Sequence, residues 1–325
     1  MVVLFSQTFS LSVRKGEQCM ANTNNNFIML PTVDFCFKKL MDNAKVRQGF
    51  IAALLKMDPD MIRETTVLPT ELEREYADDK LGVLDVRVLL GDGKQLDMEM
   101  QVAYFGDWDA RALFYLSKIF TEQLKAGESY GNLKKCIHVS ILDFIHFKED
   151  EECYRTICFC DKKTGRKYTD LMEIKILELK KLTAKTEQEE TIISWMRFLG
   201  GKSREEFEDM AKLDEYMSEA YETLKKISAD DRAKLEYEAR QKAIRDYNSQ
   251  MINARREGLE EGIEKGEILN KIKLVKKKYQ KGKSLCEIAE EMEEEVSAIE
   301  KIYQMVKENP ESSAEEILQM KNEEL

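Results

Sequence analysis

The sequence predicts an α/β protein, a mixed β-sheet flanked by helices and followed by an all-helical C-terminal extension. Two observations carry that prediction. Between Pro31 and about residue 185, helical apolar spacing alternates with short strand-like runs; after about Thr186 the strands vanish and helical periodicity continues to the C-terminus. The composition agrees, with 43% hydrophobic residues to build a core and 35% charged residues to cover a helix-rich surface.

Taken in order, residues 1–29 form a poorly ordered N-terminal extension containing the polar run ANTNNN, and Met20 offers the start of a shorter product. Phe35, Leu40 and Met41, then Phe50, Ile51, Leu54 and Leu55, make the apolar faces of helices, with Asp34 as the cap or in the first turn. Strands are expected near 64–69, 81–90 and 94–103. An amphipathic helix should run from about Asp107 to Lys125 and stop at Gly127. CIHVSILDF (136–144) reads as a buried strand, YRTICFCDKKTGRKYTD (154–170) as a hairpin turning at Lys163–Gly165, and LMEIKILELKKL (171–182) as the closing strand. A break falls near Gly200 and Gly201. The chain thus divides into the extension, an α/β core at 30–185, a helical extension at 186–250 and a charged helical tail at 251–325.

Charge separates the same parts. Residues 1–185 hold 27 Lys and Arg against 28 Asp and Glu, whereas residues 186–325 hold 24 against 34, so nearly all of the net −11 belongs to the C-terminal part. An acidic total argues against non-specific nucleic-acid binding without excluding a local basic groove. KIKLVKKKYQKGK (271–283) carries seven lysines and no acid, and reads as a helix face balancing the glutamates around it. Residues 284–307 have a helix-turn-helix look, but Glu294, Glu295 and Glu300 stand where a DNA reader needs donors. Gly258, Gly262 and Gly266 lie four apart on one helical face and predict a close helix pair, within the chain or between subunits of a homo-oligomer.

No apolar run approaches the ~18 residues that a membrane-spanning helix needs, so no membrane partner is expected. The N-terminal apolar segment is short and precedes Arg14 and Lys15, which argues against export. Seven cysteines without paired zinc-ligand spacing read as reduced, mostly buried thiols of a cytoplasmic protein. His138 and His146 are the only histidines, too few for a histidine-based mechanism. Carboxylates are the plentiful chemistry.

The stretch LDVRVLLGDGKQLDMEMQV (84–102) concentrates them. Leu84, Val86, Val88 and Leu90 form one strand's apolar face; Leu96, Met98, Met100 and Val102 form that of the next. Asp85 and Arg87 lie on the opposite face, with Gln95, Asp97, Glu99 and Gln101. If Asp85 pairs with Glu99, the turn centres on Asp92 in a three-residue Gly91-Asp92-Gly93 loop, a favoured hairpin class. Two carboxylates then reach one cation, and with the Met100 main-chain carbonyl and waters they make a partial shell of the kind Mg²⁺ prefers, or else they belong to a half-exposed sheet with a polar outer face.

Asp85 followed after thirteen residues by Glu99-Met100-Gln101, in a helix, hairpin, helix context, resembles the PD-(D/E)XK nuclease superfamily. The ordered series LPTVDFCFKKLM (30–41), DDKLGVLDVRVLLGDGKQLDMEMQV (78–102), the helix with Trp108, Arg111 and Tyr115, and YGNLKKCIHVSILDF (130–144) is similar to the Rpn family of recombination-promoting nucleases and transposases. The resemblance implies a restriction-endonuclease-like core, a Mg²⁺-dependent (or Mn²⁺-dependent) DNA endonuclease linked to recombination or transposition, and DNA as partner. It implies Asp85 and Glu99 as metal ligands and Gln101 in the place of the superfamily lysine, able to position the attacking water without supplying charge. Arg87 and Lys80 are candidates for the missing cation. Asp34 matches an acid that reaches the metal through water, or is an N-cap; Arg111 and Tyr115 hold a phosphate or simply pack. Asp97 is expected to face solvent near the hairpin tip, and His146 to be a loop histidine. The alternative is a catalytically inactive nuclease fold serving as a DNA-binding or protein-interaction module.

Overall fold

The computed structural model describes residues 27–62, 64–71, 84–104, 106–184 and 189–323. It falls into two compact units, residues 1–241 and 242–325.

In the first unit, helices α1 (Asp34–Asp42) and α2 (Ala44–Leu55) precede strands β1 (Thr65–Leu68), β2 (Val86–Leu90) and β3 (Gln95–Gln101). Asn43 separates the two helices because its side-chain oxygen accepts from the N–H groups of Lys45 and Val46, capping α2. Helix α3 (Trp108–Thr121) then crosses to β4 (Cys136–Leu142), followed by β5 (Tyr154–Cys158) and β6 (Met172–Glu178). The strands form one mixed sheet in the order β1-β2-β3-β4-β6-β5, with parallel pairing of β3 to β4 and β4 to β6 and antiparallel pairing elsewhere. Helices α4 (Thr191–Gly200), α5 (Arg204–Met210), α6 (Glu215–Ala229) and the start of α7 (Asp231–Tyr279) complete the unit.

Both faces of the sheet are covered. Met98, Met100, Val139 and Ile141 join Phe37, Phe50 and Leu54 of α1 and α2 and Trp195 and Phe198 of α4 in the larger core. The opposite face packs Trp108, Ala112, Leu116 and Ile119 of α3 against Cys136, Leu142 and Ile176. The half-exposed polar sheet is therefore not what the hairpin belongs to, because α3 lies over the side that its sequence left polar. Leu84, expected beside Val86, packs with the α3 cluster instead, since the chain bends at Asp85 before β2 begins.

Helix α3 ends at Thr121, four residues before the expected stop, and Gly127 takes its positive φ of 88° in the loop beyond. Cys36 and Cys136 are buried, but Cys158 and Cys160 lie on or beside the edge strand and Cys286 is exposed, so the described thiols are not mostly buried. The predicted turn forms, with Gly165 at φ 69° and Asp161 accepting from the N–H groups of Lys163 and Thr164, but the strand that returns beside β5 is β6, with a single Cys160–Lys167 bridge within 154–170.

In the second unit, the end of α7 packs with α8 (Leu285–Met292), α9 (Val296–Glu308) and α10 (Ala314–Glu323) around Ile272, Val275, Ile288, Ile299 and Ile302. The lysine-rich segment neutralises acids as expected, pairing Lys271 with Glu294, Lys273 with Glu315, and Lys278 and Lys283 with Glu291. No described atom outside their own helix turn lies within 4 Å of a Cβ built on Gly258, Gly262 or Gly266, so among the described residues no close helix pair forms there. No described helix is long and apolar enough to cross a membrane.

Candidate functional site

The β2–β3 hairpin has the register its loop demands. Val86 pairs with Met98, Arg87 with Asp97 and Val88 with Leu96. The Gly91-Asp92-Gly93 loop closes with Gly93 at φ 87° and its N–H donating to the Leu90 carbonyl at 2.9 Å. Continuing this register one step past Val86 brings Asp85 opposite Glu99, but the bend turns Asp85 toward the strand edge. Its Oδ2 accepts from the Met100 N–H at 3.2 Å.

Strand geometry explains why that N–H is free to donate. Odd residues of β3 point their backbone groups at β4: Gln95 N–H donates to the Lys135 carbonyl, and the Gln101 carbonyl accepts from Asp143 N–H. Even residues point toward β2. Because β2 starts at Val86, Met100 lies beyond the β2–β3 pairing, and its N–H is taken by the Asp85 carboxylate instead.

Glu99 lies on the α3 side, fully buried. Its Oε1 receives Nη2 of Arg111 at 3.3 Å, while Oε2 has no described partner. Arg111 is held by stacking, its guanidinium 5.9 Å from the Trp108 ring centroid and 5.3 Å from that of Tyr115. Asp85 has its own cation, Lys38 of α1, with Nζ 3.0 Å from Oδ1. Burial is the largest influence on both acids. It pushes Glu99 up to about 7, with the Asp97 charge adding to the rise and His138 and Arg111 opposing it. Asp85 is raised too, by burial against the pull of Lys38.

A deeper polar layer continues beneath α3. Asp97 Oδ2 lies 2.6 Å from His138 Nδ1, both side chains fully buried. Burial alone would lower the His138 pKa; the charge and hydrogen bond of Asp97 outweigh it and raise the value. Asp97 Oδ1, His138 Nε2, Ser140 Oγ, Trp108 Nε1 and Arg111 Nε are buried without described partners, as is Glu99 Oε2. These polar atoms gather beneath α3, on the side of the sheet that carries Glu99.

The expected site residues are thus only partly assembled. Asp85, Glu99, Met100, Arg111 and Tyr115 converge. Gln101 is half-buried at the end of β3, and its amide makes no hydrogen bond to a described residue. Beside it, Asp143 gathers Lys180 at 3.0 Å and Lys202 at 3.9 Å. Asp34 sits in the first turn of α1, 3.9 Å from Arg240 Nε, and adds negative charge felt by Asp85. Arg87 is engaged elsewhere, donating to Gln95 and pairing with Glu122 at 2.9 Å nearer the hairpin tip, so it is not the cation of the carboxylate pair. Lys80 lies outside the described residues. Asp97, expected in solvent, is buried because β4 supplies His138 directly across from it. His146 is a loop residue as expected, 3.0 Å from Asp109.

Sequence reasoning missed Lys38, His138 and Ser140. The sequence showed the face each takes but not its partner: Lys38 is one turn after Asp34 on the same helix face, and His138 and Ser140 alternate with Ile137, Val139 and Ile141 within one strand.

Among the described residues no group of three or more His, Cys, Asp or Glu is arranged to hold a metal ion. The donor set nevertheless fits a hard cation: two carboxylates held partly desolvated against their preference, a Glu99 Oε2 with no described partner, and the main chain of Met100, whose N–H already meets Asp85.

Comparison with known proteins supplies the family. The model for the PD-(D/E)XK nuclease family transposases matches residues 31–254, from just before α1 into α7. No curated protein and no solved structure matches the chain. The match spans more than half of the chain, which belongs to the PD-(D/E)XK nuclease family of transposases and so has a nuclease-type, transposition-related function.

Proposed function

From that membership we propose that the chain is a metal-dependent endonuclease hydrolysing DNA phosphodiesters in recombination or transposition. The observation that carries this reading is the pair of desolvated carboxylates, Asp85 and Glu99, beside Met100, each with a cation from a different helix. Asp85, Glu99 and the Met100 carbonyl would hold Mg²⁺ or Mn²⁺, which when bound lowers the pKa of water and offsets charge on an attacked phosphate. Gln101 orients the water through its amide. Arg111 holds Glu99 in place, and its half-exposed guanidinium, with the Tyr115 ring behind it, is a contact for DNA phosphate. Six described cysteines without disulfides suit a cytoplasmic setting.

One observation favours the inactive alternative, a nuclease fold kept for binding DNA or protein: both acids are already neutralised by ion pairs. Nicking of supercoiled plasmid by the purified chain separates the two. With Mg²⁺ or Mn²⁺ the wild type should nick, and Asp85→Ala should lose at least about 10³-fold in rate, the scale of removing a principal charge-stabilising group. A folded wild type that nicks with neither metal overturns the endonuclease reading.

A further inference from the structure

The two cations at the carboxylate pair are not equivalent. Arg111, from α3, is fixed: its guanidinium pairs with Glu99, stacks on Trp108 and Tyr115, and has its Nε buried. Lys38 approaches from α1, which packs on the other side of the sheet. It has Asp85 as its ion-pair partner among the described residues, and its side chain is 35% exposed. One cation is built in. The other is tethered at the end of a flexible four-carbon stem with three rotatable donors.

Phosphodiester hydrolysis creates the need for such a group. Water adds to phosphorus as one P–O ester bond breaks, giving a phosphate monoester and an alcohol; water surrenders one proton to solvent and the departing oxygen takes one up. Negative charge grows on the non-bridging and departing oxygens, and a donor already in place to meet it is worth far more in a desolvated site than in bulk water. Gln101, two residues after Glu99 at the end of β3, carries no charge. Arg111 is fixed by Glu99 and the two rings, so it meets a phosphate only where it stands and does not move to follow the growing charge.

We propose that Lys38 is the catalytic cation of this site, released from Asp85 to the scissile phosphate when that carboxylate takes a divalent metal. The assignment rests on the nuclease reading above. Its physical basis is competition: the Asp85 oxygen that holds the ammonium at 3.0 Å is one the metal would use, and two cations on one desolvated carboxylate repel. Lys38 therefore weakens metal binding in the resting protein and accelerates cleavage in the loaded one, two effects of opposite sign from one side chain.

Lys38→Met tests this, because it keeps most of the apolar length of the side chain while removing the charge. Thermal unfolding first establishes that the variant is folded. Mn²⁺ binding without DNA, measured by calorimetry, should then tighten several-fold, whereas single-turnover plasmid cleavage should fall by roughly 10² to 10³. Adding Gln101→Lys to Lys38→Met should recover cleavage at least tenfold, because it returns a charge to the same site from β3. If wild type cleaves and Lys38→Met cleaves within threefold of it, the assignment is overturned and the nuclease reading stands. Weakened metal binding together with slowed cleavage and no recovery makes Lys38 only the counter-ion that orients Asp85, which also overturns it. A folded wild type that binds Mn²⁺ but cleaves nothing overturns the nuclease reading and this assignment with it.

Discussion

Alternate residues of β3 enter environments alike in depth and opposite in chemistry. Leu96, Met98 and Met100 face α1 and α2 in a continuous apolar core; Asp97 and Glu99, equally buried, face α3 among orphaned polar atoms. Burying an apolar side chain of this size stabilises a fold by about 1.5–3 kcal/mol. Leaving a buried polar atom unpaired costs about 1–3 kcal/mol. A strand buried on both faces and selected for stability alone would be apolar on both, as central strands of parallel sheets usually are. The polar face thus works against folding, and what it holds has to account for it.

Truncating one residue on each face puts that contrast to its hardest test. Met98→Ala should cost about 3 kcal/mol, from lost transfer free energy together with the cavity left behind. His138→Ala should cost more, about 4 kcal/mol, because it leaves the Asp97 carboxylate buried without its partner, and breaking a buried pair is more damaging than the pair was stabilising. Urea midpoints in one buffer compare them directly. A milder His138→Ala would mean that water already reaches the polar layer freely, and the contrast between faces would fail.

The acid on that face supplies a pH test of intermediate size. Burial, reinforced by the Asp97 charge, raises Glu99 from 4.5 to about 7. A raised folded-state pKa means that the folded protein binds this proton more tightly than the unfolded chain does. The associated stability is therefore fully present below about pH 4.5 and is lost as pH climbs through about 7. A tenfold difference in proton affinity between the folded and unfolded chain corresponds to about 1.4 kcal/mol, so the shift from 4.5 to about 7, in which the pull of Arg111 is already included, corresponds to a loss of roughly 3 kcal/mol. Glu99→Gln should flatten this part of the stability profile from pH 5 to 8, and Mn²⁺ at pH 8 should stabilise the wild type more than the variant. A profile unchanged by the substitution would show that Glu99 is not desolvated as its surroundings indicate.

How much of this the sequence revealed depends on what decides each feature. Local rules were sufficient for the hairpin: a glycine-flanked three-residue loop and period-two apolar spacing fix the Val86–Met98 register together. The family's ordered segments likewise placed the core that the family model matches. Features set by neighbours distant in sequence were not legible. Asp97 could not be recognised as buried, because its partner His138 arrives 41 residues later on β4. Lys38 reaches Asp85 across 47 positions of chain, and Arg87 is drawn to Glu122 by the end of α3. Periodicity reports which face a side chain takes; what waits on that face is a tertiary matter.

The smallest expected effect asks what assigns residues to those faces. A one-residue slip of β2 against β3 would exchange every apolar and polar side chain between them. Gly93, at φ 87°, closes the loop, and a Cβ there would meet Lys134 Cγ at 3.0 Å. The lysine side chain can move aside, so Gly93→Ala should cost little beyond the left-handed backbone, about 1 kcal/mol. Mn²⁺ affinity should be unchanged, because the burial of Leu96, Met98 and Met100 pins the register far more strongly than one loop residue does. If affinity falls along with stability, the loop is what keeps Asp85 across from Glu99, and the division of β3 into a dry face and a chemical face depends on its turn.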